Sequence, residues 1–242
     1  MPSPALGGHM MKLVQRAPAS SEKPSQIPGV SATPFSREIH RALDFAAYEF
    51  RLQKRRDPDK TIPAVSHSAG VGYILAHYGF PEQVVVAGIL HDYLEDIVQT
   101  PFGERRSCRR RLEREFGKDT VHLVEFVTQK KYGRWGRKRP WDIRNQEYIS
   151  RLCTVEAPAG SRAISCADKI HNIQSLILAL ERNQKDPDVV WRNMKATAKQ
   201  QLENFRNHHQ ILSEHWSHPI VDQLASLIDS LAKHVGPAYR SP

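Results

Sequence analysis

A short apolar stretch of the sequence concentrates side chains that can bind a metal ion. One imidazole and three carboxylates fall within it: His91, Asp92, Glu95 and Asp96. If the stretch is an α-helix, at about 100° per residue, the four groups share one face while Leu90 and Leu94 take the opposite face. Burying this much charge is costly without a counter-charge, and a divalent cation supplies one. The stretch therefore indicates a metal site, although such a face is also typical of a solvated helix surface.

Two further places in the chain carry side chains of the same chemistry. His67 stands between two serines near the start of an earlier helical pattern. Asp168 and Asn172 are four residues apart, a spacing that puts both on one face of a later helix. A shared metal site therefore requires three separate helices to converge.

The elements that would position these residues are helices. From Ser36 onward, apolar residues recur at spacings of three and four, as on the buried face of a helix. Ser36 is a typical N-cap, and Pro81 and Pro140 are typical of helix starts. Gly79 and Gly117 are typical of helix ends. Because no sustained alternation typical of strands is present, we predict an all-α fold, a compact bundle of about eight to eleven helices.

The N-terminal residues 1–35 differ from the rest in composition. They are rich in Pro, Ser, Ala and Gly without apolar periodicity, which predicts a disordered tail ahead of one domain over 36–236. Within the tail, residues 7–10 (Gly-Gly-His-Met) look like a cloning remnant. We find no secretory segment and no apolar run of the roughly 20 residues that span a bilayer. We therefore expect a cytoplasmic protein that binds no membrane, with its three cysteines reduced.

The charge of the chain points to phosphate-rich partners. There are 35 Lys and Arg residues against 26 Asp and Glu, a formal net charge of +9. Two basic runs, residues 105–114 and 130–139, hold much of the surplus. Nucleotides and RNA are the partners that such a surplus favours. Solvated helix faces and loops are the ordinary explanation of a charge run, and charge alone does not separate a nucleotide from an RNA.

The order of the motifs resembles a known family. Four blocks follow one another over about residues 40–205: Lys54-Arg55-Arg56 ahead of His67, His91-Asp92 with Leu94-Glu95-Asp96, Phe116-Gly117 leading to Val127-Thr128, and Ala167-Asp168-Lys169-Ile170-His171-Asn172. This arrangement is similar to the HD superfamily of metal-dependent phosphohydrolases, and within it to the hydrolase domain of the RelA/SpoT homologues, including the small alarmone hydrolases. The acidic pair Glu95-Asp96 and the last block are the more specific features of the alarmone hydrolases.

The resemblance implies a ligand set for one divalent metal ion. The four ligands are His67, His91, Asp92 and Asp168. Manganese is the usual metal in the family, and imidazoles with carboxylates but no thiolate suit manganese or iron; cobalt and zinc are the remaining candidates. By the same resemblance, Glu95 and Asp96 orient and deprotonate the attacking water.

The resemblance also implies substrate contacts. Asn172 matches a substrate-contacting position, and Arg55 and Arg56 match a basic pair on the base and ribose side of the pocket, where a guanidinium can stack or pair with phosphate. The chain departs from the family in lacking the aromatic residue and the proline that usually flank the histidine of His67. Two segments, 97–111 and 129–144, also look expanded. The second contains Arg144, a candidate phosphate contact or else a surface arginine.

The reaction that the resemblance implies is removal of the 3′-pyrophosphate from a nucleotide alarmone, (p)ppGpp or (p)ppApp. One variant makes the chain the antitoxin of a toxic small alarmone synthetase, acting also on pyrophosphorylated tRNA 3′ ends, which the basic segments would suit. The alternatives are a generic HD nucleotidase or phosphodiesterase, and a non-catalytic module that binds RNA or protein. The intact pair Glu95 and Asp96 argues against the last.

Other conspicuous residues fit the metal site less well. Four histidines follow the matching blocks and share no single helix face, so we expect them to be solvated: His208, His209, His215 and His218. Trp135 and Trp141 lie among arginines and are suited to stacking on bases. Packing is the commoner role of such aromatic residues near helix starts.

Overall fold

The computed structural model describes residues 32–58, 60–97, 104–133, 137–192, 194 and 196–235. This part of the chain is helical: α1 Arg37–Glu49, α2 Val65–His77, α3 Glu82–Ile89, a π-helix Tyr93–Ile97, α4 Glu104–Val127, α5 Trp141–Leu152, α6 Ala159–Arg182, α7 Asp188–Arg192, α8 Ala198–His215 and α9 Pro219–Val235. Extended pairing among these residues is confined to two isolated bridges, between Lys54 and Pro63 and between Tyr132 and Lys138. The all-α prediction and its range of helix number are confirmed.

The predicted helix ends are set by local chemistry. The Ser36 hydroxyl accepts a 3.2 Å hydrogen bond from the backbone N–H three residues on, which caps α1. Pro81 and Pro140 immediately precede α3 and α5. Gly79 follows α2 with φ of 71°, and Gly117 breaks α4 with φ of 81°, both in the left-handed region that favours glycine. Most of the predicted tail, with the tag-like residues 7–10, lies outside the described residues.

The stretch that carries the candidate ligands is not one α-helix, so that prediction is wrong. Helix α3 ends at Ile89, a turn follows, and the π-helix then begins. In a continuing α-helix, the carbonyl of Gly88 would accept the N–H of Asp92. That carbonyl instead lies 2.7 Å from Nδ1 of His91. The side chain of His91 thus takes the bond that would have prolonged the helix, and π-turns of this kind are frequent at functional sites.

Helix α6 forms the centre of the bundle. It contacts α2, α3, α4, α8 and α9, and the side chains of Ile164, Ile170 and Ile173 on it are fully buried. Polar residues of α6 line the cavity described below. Among the described helices, none has the length and apolar character needed to cross a membrane.

Glycines allow α2 and α3 to pack closely. A Cβ atom on Gly72 would lie 2.5 Å from Cγ1 of Ile89, and one on Gly88 would lie 2.2 Å from Cδ1 of Leu75. Contacts this short are not tolerated, so the separation of the two helices depends on the missing side chains. Because α2 carries His67 and α3 leads into His91, this packing also fixes the distance between the two imidazoles.

We expect Gly72→Ala to destabilise the protein. The added methyl group meets a branched side chain near its base, and overpacking of this kind costs about 1–3 kcal/mol, less the roughly 0.5–1 kcal/mol that alanine gains in a helix. Urea denaturation measures the change. Gly133→Ala is the control, because the nearest atoms to its Cβ lie at 3.8 Å. Equal stability of the two variants would contradict the packing argument.

Candidate metal and active site

Two imidazoles and one carboxylate from three helical elements converge at one point. His67 lies in the first turn of α2, His91 in the turn after α3, and Asp168 in α6. The two Nε2 atoms are 3.3 Å apart, and Oδ1 of Asp168 lies 3.1 Å from Nε2 of His67 and 3.8 Å from Nε2 of His91. These ligand atoms all lie within 4.8 Å of one another. The separation of α2 from α3 and α6 thus sets the size of the cluster.

Asp92 lies beside these three residues. Its Oδ1 lies 3.2 Å from Nε2 of His91, and its Oδ2 lies 3.7 Å from Nε2 of His67. Ligand atoms that are each about 2.1 Å from one ion are separated by roughly 3–4.2 Å, which is the range found here. The residues present therefore fit one divalent cation.

The protonation of the cluster also suits a cation. Burial lowers the pKa of His67 to about 3, which leaves its imidazole neutral at pH 7. Burial, with repulsion from Asp96 and Glu95, raises the pKa of Asp92 to about 7 despite the attraction of His91. Burial is the larger cause of this shift, and the neighbouring carboxylates add to it. A cation bound beside Asp92 would lower its pKa and hold it ionised.

Further hydrogen bonds orient the ligands. Nδ1 of His91 donates to the carbonyl of Gly88, so its Nε2 lone pair faces the cluster. The Lys169 ammonium donates to Oδ2 of Asp168 at 2.6 Å, and the amide of Asn172 donates to Oδ1 at 2.6 Å. Although burial opposes it, Lys169 holds the pKa of Asp168 well below its usual range. Contacts of this kind fix ligand geometry in metal sites.

His171 is a positioning residue that the sequence pattern did not single out. Its Nδ1 lies 3.0 Å from Nδ1 of His67, and the two rings meet edge to face. The His171 ring fills a notch that exists because residue 70 is glycine: a Cβ on Gly70 would lie 2.0 Å from the ring. When Nε2 of His67 is a ligand, its Nδ1 carries the proton and donates it to His171. Only the position of His171 within the Asp168 block hinted at this role.

The acidic pair, Glu95 and Asp96, lies beside the cluster and is bonded to residues of the expanded segment 129–144. Oε2 of Glu95 accepts a 3.1 Å bond from the backbone N–H of Gln129. The Lys131 ammonium donates to the carbonyl of Glu95 at 3.0 Å, lies 3.5 Å from Oε1 of that residue, and pairs with Oδ1 of Asp96. Lys131 was not among the predicted site residues, since in the sequence it is one member of a basic run.

All predicted site residues line one cavity of about 850 Å³. Arg55 donates a 2.9 Å bond to Oδ1 of Asn172, and burial lowers the pKa of its guanidinium. Arg56 is exposed on the cavity wall. Arg144 is only 6% exposed, so the surface alternative for it is wrong. Trp141 lines the same cavity.

Among the described residues, the C-terminal histidines are not part of the group formed by His67, His91 and Asp168. His208 is buried, not solvated as expected, and its Nδ1 lies 2.9 Å from the carbonyl of Asn204. Burial lowers the pKa of His208 to about 3. His218 is half-buried and stacks on Trp216, whereas His215 is exposed as expected. Trp135, the other aromatic residue considered above, lies outside the described residues.

An all-α bundle that gathers two imidazoles and two carboxylates from three of its helical elements defines the class of the protein. Residues 42–196 match the HD domain family, and the chain belongs to that family. The predicted resemblance to the HD superfamily is therefore confirmed.

Two individual proteins are similar in sequence to this chain. The chain is 35% identical over 141 residues to guanosine-3′,5′-bis(diphosphate) 3′-pyrophosphohydrolase MESH1 of Xenopus tropicalis, which covers 57% of this chain and 69% of that protein. It is 34% identical over 145 residues to the Homo sapiens protein of the same name, with the same coverage.

Solved structures support the fold. A structure described as a metazoan ortholog of SpoT that hydrolyses ppGpp aligns with a TM-score of 0.59 at 24% identity, covering 85% of this chain and 99% of that one. A protein of Listeria monocytogenes EGD-e aligns with a TM-score of 0.54 at 28% identity, covering 71% and 96%. The HD-type helical bundle predicted from the sequence is confirmed.

We expect His171→Ala to weaken metal binding. Without an acceptor for Nδ1 of His67, the ligand ring loses its fixed orientation, and loss of such contacts typically costs 10–100-fold in affinity. Manganese titration by calorimetry measures the change on the metal-depleted chain. His215→Ala is the control, because His215 is exposed and is not part of the cluster. Unchanged manganese affinity in His171→Ala would remove the positioning role.

Proposed function

We propose that the protein is a metal-dependent hydrolase that removes the 3′-pyrophosphate from guanosine 3′,5′-bis(diphosphate). The proposal depends on one observation: His67, His91, Asp92 and Asp168 converge in the cavity that also contains the acidic pair Glu95 and Asp96. The names of the curated relatives support the choice of substrate. We propose manganese as the metal because the ligands are imidazoles and carboxylates without a thiolate, with iron, cobalt and zinc as alternatives.

Each side chain has a separate role in the proposed reaction. When bound, the metal ion supplies charge neutralisation and activation of a water molecule. Glu95, fixed by the backbone N–H of Gln129, accepts the proton of the attacking water as general base. Asp96 pairs with Lys131 beside Glu95. In the proposed reaction, this cation attracts the phosphate groups of the substrate. These contacts order the acidic pair before substrate binds.

Substrate contacts are proposed for the cationic walls of the cavity. Arg55 is oriented by Asn172, which is itself bound to Asp168, so the guanidinium is placed relative to the ligand cluster. A guanidinium fixed in this way can pair with a phosphate or stack on a base. We assign Arg56, exposed beside it, to the same nucleotide.

We expect Glu95→Gln to lose activity but keep its metal. The amide cannot accept a proton, and loss of a general base costs about 10²–10⁴ in rate. Asp168→Ala is the matched comparison, because it removes a ligand and should lose both metal and activity. Metal content by elemental analysis and pyrophosphate release from guanosine 3′,5′-bis(diphosphate) are measured on both. Normal turnover by Glu95→Gln would refute the role of the carboxylate.

The identity of the product tests the proposed reaction against a generic nucleotidase. Chromatography after incubation with manganese should show pyrophosphate and the 5′-nucleotide; orthophosphate from a 5′-position would favour the nucleotidase instead. The adenosine alarmone is tested in parallel.

A pyrophosphorylated tRNA 3′ end is a second candidate substrate. Lys130 and Lys138 are exposed near the cavity, and Arg106 and Arg110 are exposed on α4. If a tRNA binds this surface, its turnover should fall steeply with salt, because each phosphate contact releases counterions. Cleavage of the nucleotide alone would reject this substrate. An antitoxin role with a cognate synthetase stays a prediction.

A further inference from the structure

Helix α5 presents two arginines on one face. Arg144 and Arg151 are seven residues apart, so they differ by only about 20° around the helix, with Tyr148 between them. Both point toward the end of α4, where Arg144 bonds the side chain of Gln129 and Arg151 bonds the carbonyl of Thr128. Both guanidiniums thus lie on one face of α5, next to the segment that holds the acidic pair.

Arg144 is a buried cation without a carboxylate partner among the described residues. Its Nη1 donates to Oε1 of Gln129 at 3.1 Å, while its buried Nε finds no hydrogen-bond partner there. A buried, partly unsatisfied charge is costly. The side chain therefore has unused capacity to bind an anion.

Arg151 is half-buried on the same face of α5. Its Nη2 donates to the carbonyl of Thr128 at 3.0 Å, and its buried Nε has no hydrogen-bond partner in the described part of the chain. The guanidinium also lies over the rings of Phe126 and Tyr148. Burial lowers the pKa of Arg151, and the neighbouring Arg105 adds repulsion. An anion would relieve both effects.

The two arginines line a shallow cavity of about 120 Å³ together with Lys130, Glu147 and Tyr148. This volume holds roughly four water molecules at ~30 Å³ each. Both carboxylate oxygens of Glu147 accept hydrogen bonds from Arg139, which offsets part of its charge, and Glu147 also attracts Arg151. Three cations then face the cavity. Arg144 and Tyr148 also line the 850 Å³ cavity, so the two cavities adjoin.

We propose that Arg144, Arg151 and Lys130 form a diphosphate subsite beside the metal cluster. Two guanidiniums match the spread negative charge of a diphosphate, which they can bind through paired N–H groups. The diphosphate has two possible sources: the substrate, or free pyrophosphate bound independently of it. That the subsite binds diphosphate follows from the cations alone, whereas its assignment to the substrate rests on the proposed function.

The test uses inorganic pyrophosphate as the probe and the full chain in EDTA, where no turnover occurs. Calorimetry is run on the wild type, Arg144→Gln, Arg151→Gln and the charge-retaining Arg151→Lys. We expect each glutamine variant to weaken pyrophosphate binding at least tenfold and Arg151→Lys to weaken it less. Arg37→Gln, which removes an exposed arginine of α1, is the matched control and should bind as the wild type does. Thermal melts verify that each variant is folded.

Two results would overturn the subsite: equal pyrophosphate affinity in the wild type and both folded glutamine variants, or an equal loss in Arg37→Gln. Neither depends on hydrolysis, so they are separate from failure of the proposed function, which would show as no pyrophosphate released by the manganese-loaded wild type. Inhibition kinetics then identify the source. Competition of pyrophosphate with the nucleotide assigns the subsite to the substrate, and non-competitive inhibition assigns it to free pyrophosphate.

Discussion

The close approach of α2 to α3 and α6 is the constraint on which the site depends. It brings the Nε2 atoms of His67 and His91 to 3.3 Å and sets both beside Asp168. Such close contact requires glycine at the points where α2 meets its neighbours. Gly72 lies against α3, and Gly70 lies against the ring of His171. The residues that fix the ligand geometry are therefore mostly not ligands, and packing and chemistry cannot be varied independently in this part of the bundle.

Electrostatics imposes the second constraint. Four carboxylates, Asp92, Glu95, Asp96 and Asp168, lie along one cavity and repel one another. Lys169 offsets the charge of Asp168, and Lys131 offsets that of the acidic pair. Burial, with repulsion from the neighbouring carboxylates, raises the pKa of Asp92. A divalent cation bound at the cluster would offset both effects.

The sequence predicted those parts of the structure that follow from local rules. The cap at Ser36 and the break at Gly117 depend on one side chain or one backbone conformation, and both were found. The end of α3 was missed because it depends on the His91 side chain competing for a backbone carbonyl. The roles of His171 and Lys131 depend on contacts between distant segments, over 104 residues between His67 and His171. Spacing along the chain carries no signal for such pairs.

Gln129 contacts both the proposed base and an arginine of the proposed diphosphate subsite. Its backbone N–H bonds Oε2 of Glu95, and its side-chain carbonyl accepts from Arg144. The proposed base and one arginine of the proposed diphosphate subsite are therefore both bonded to a single residue just after α4. An anion that drew Arg144 toward itself would pull on the same residue that orients Glu95. Because the expanded segment begins at this residue, its basic character and the placement of the base are parts of one arrangement, which the composition of the segment alone could not reveal.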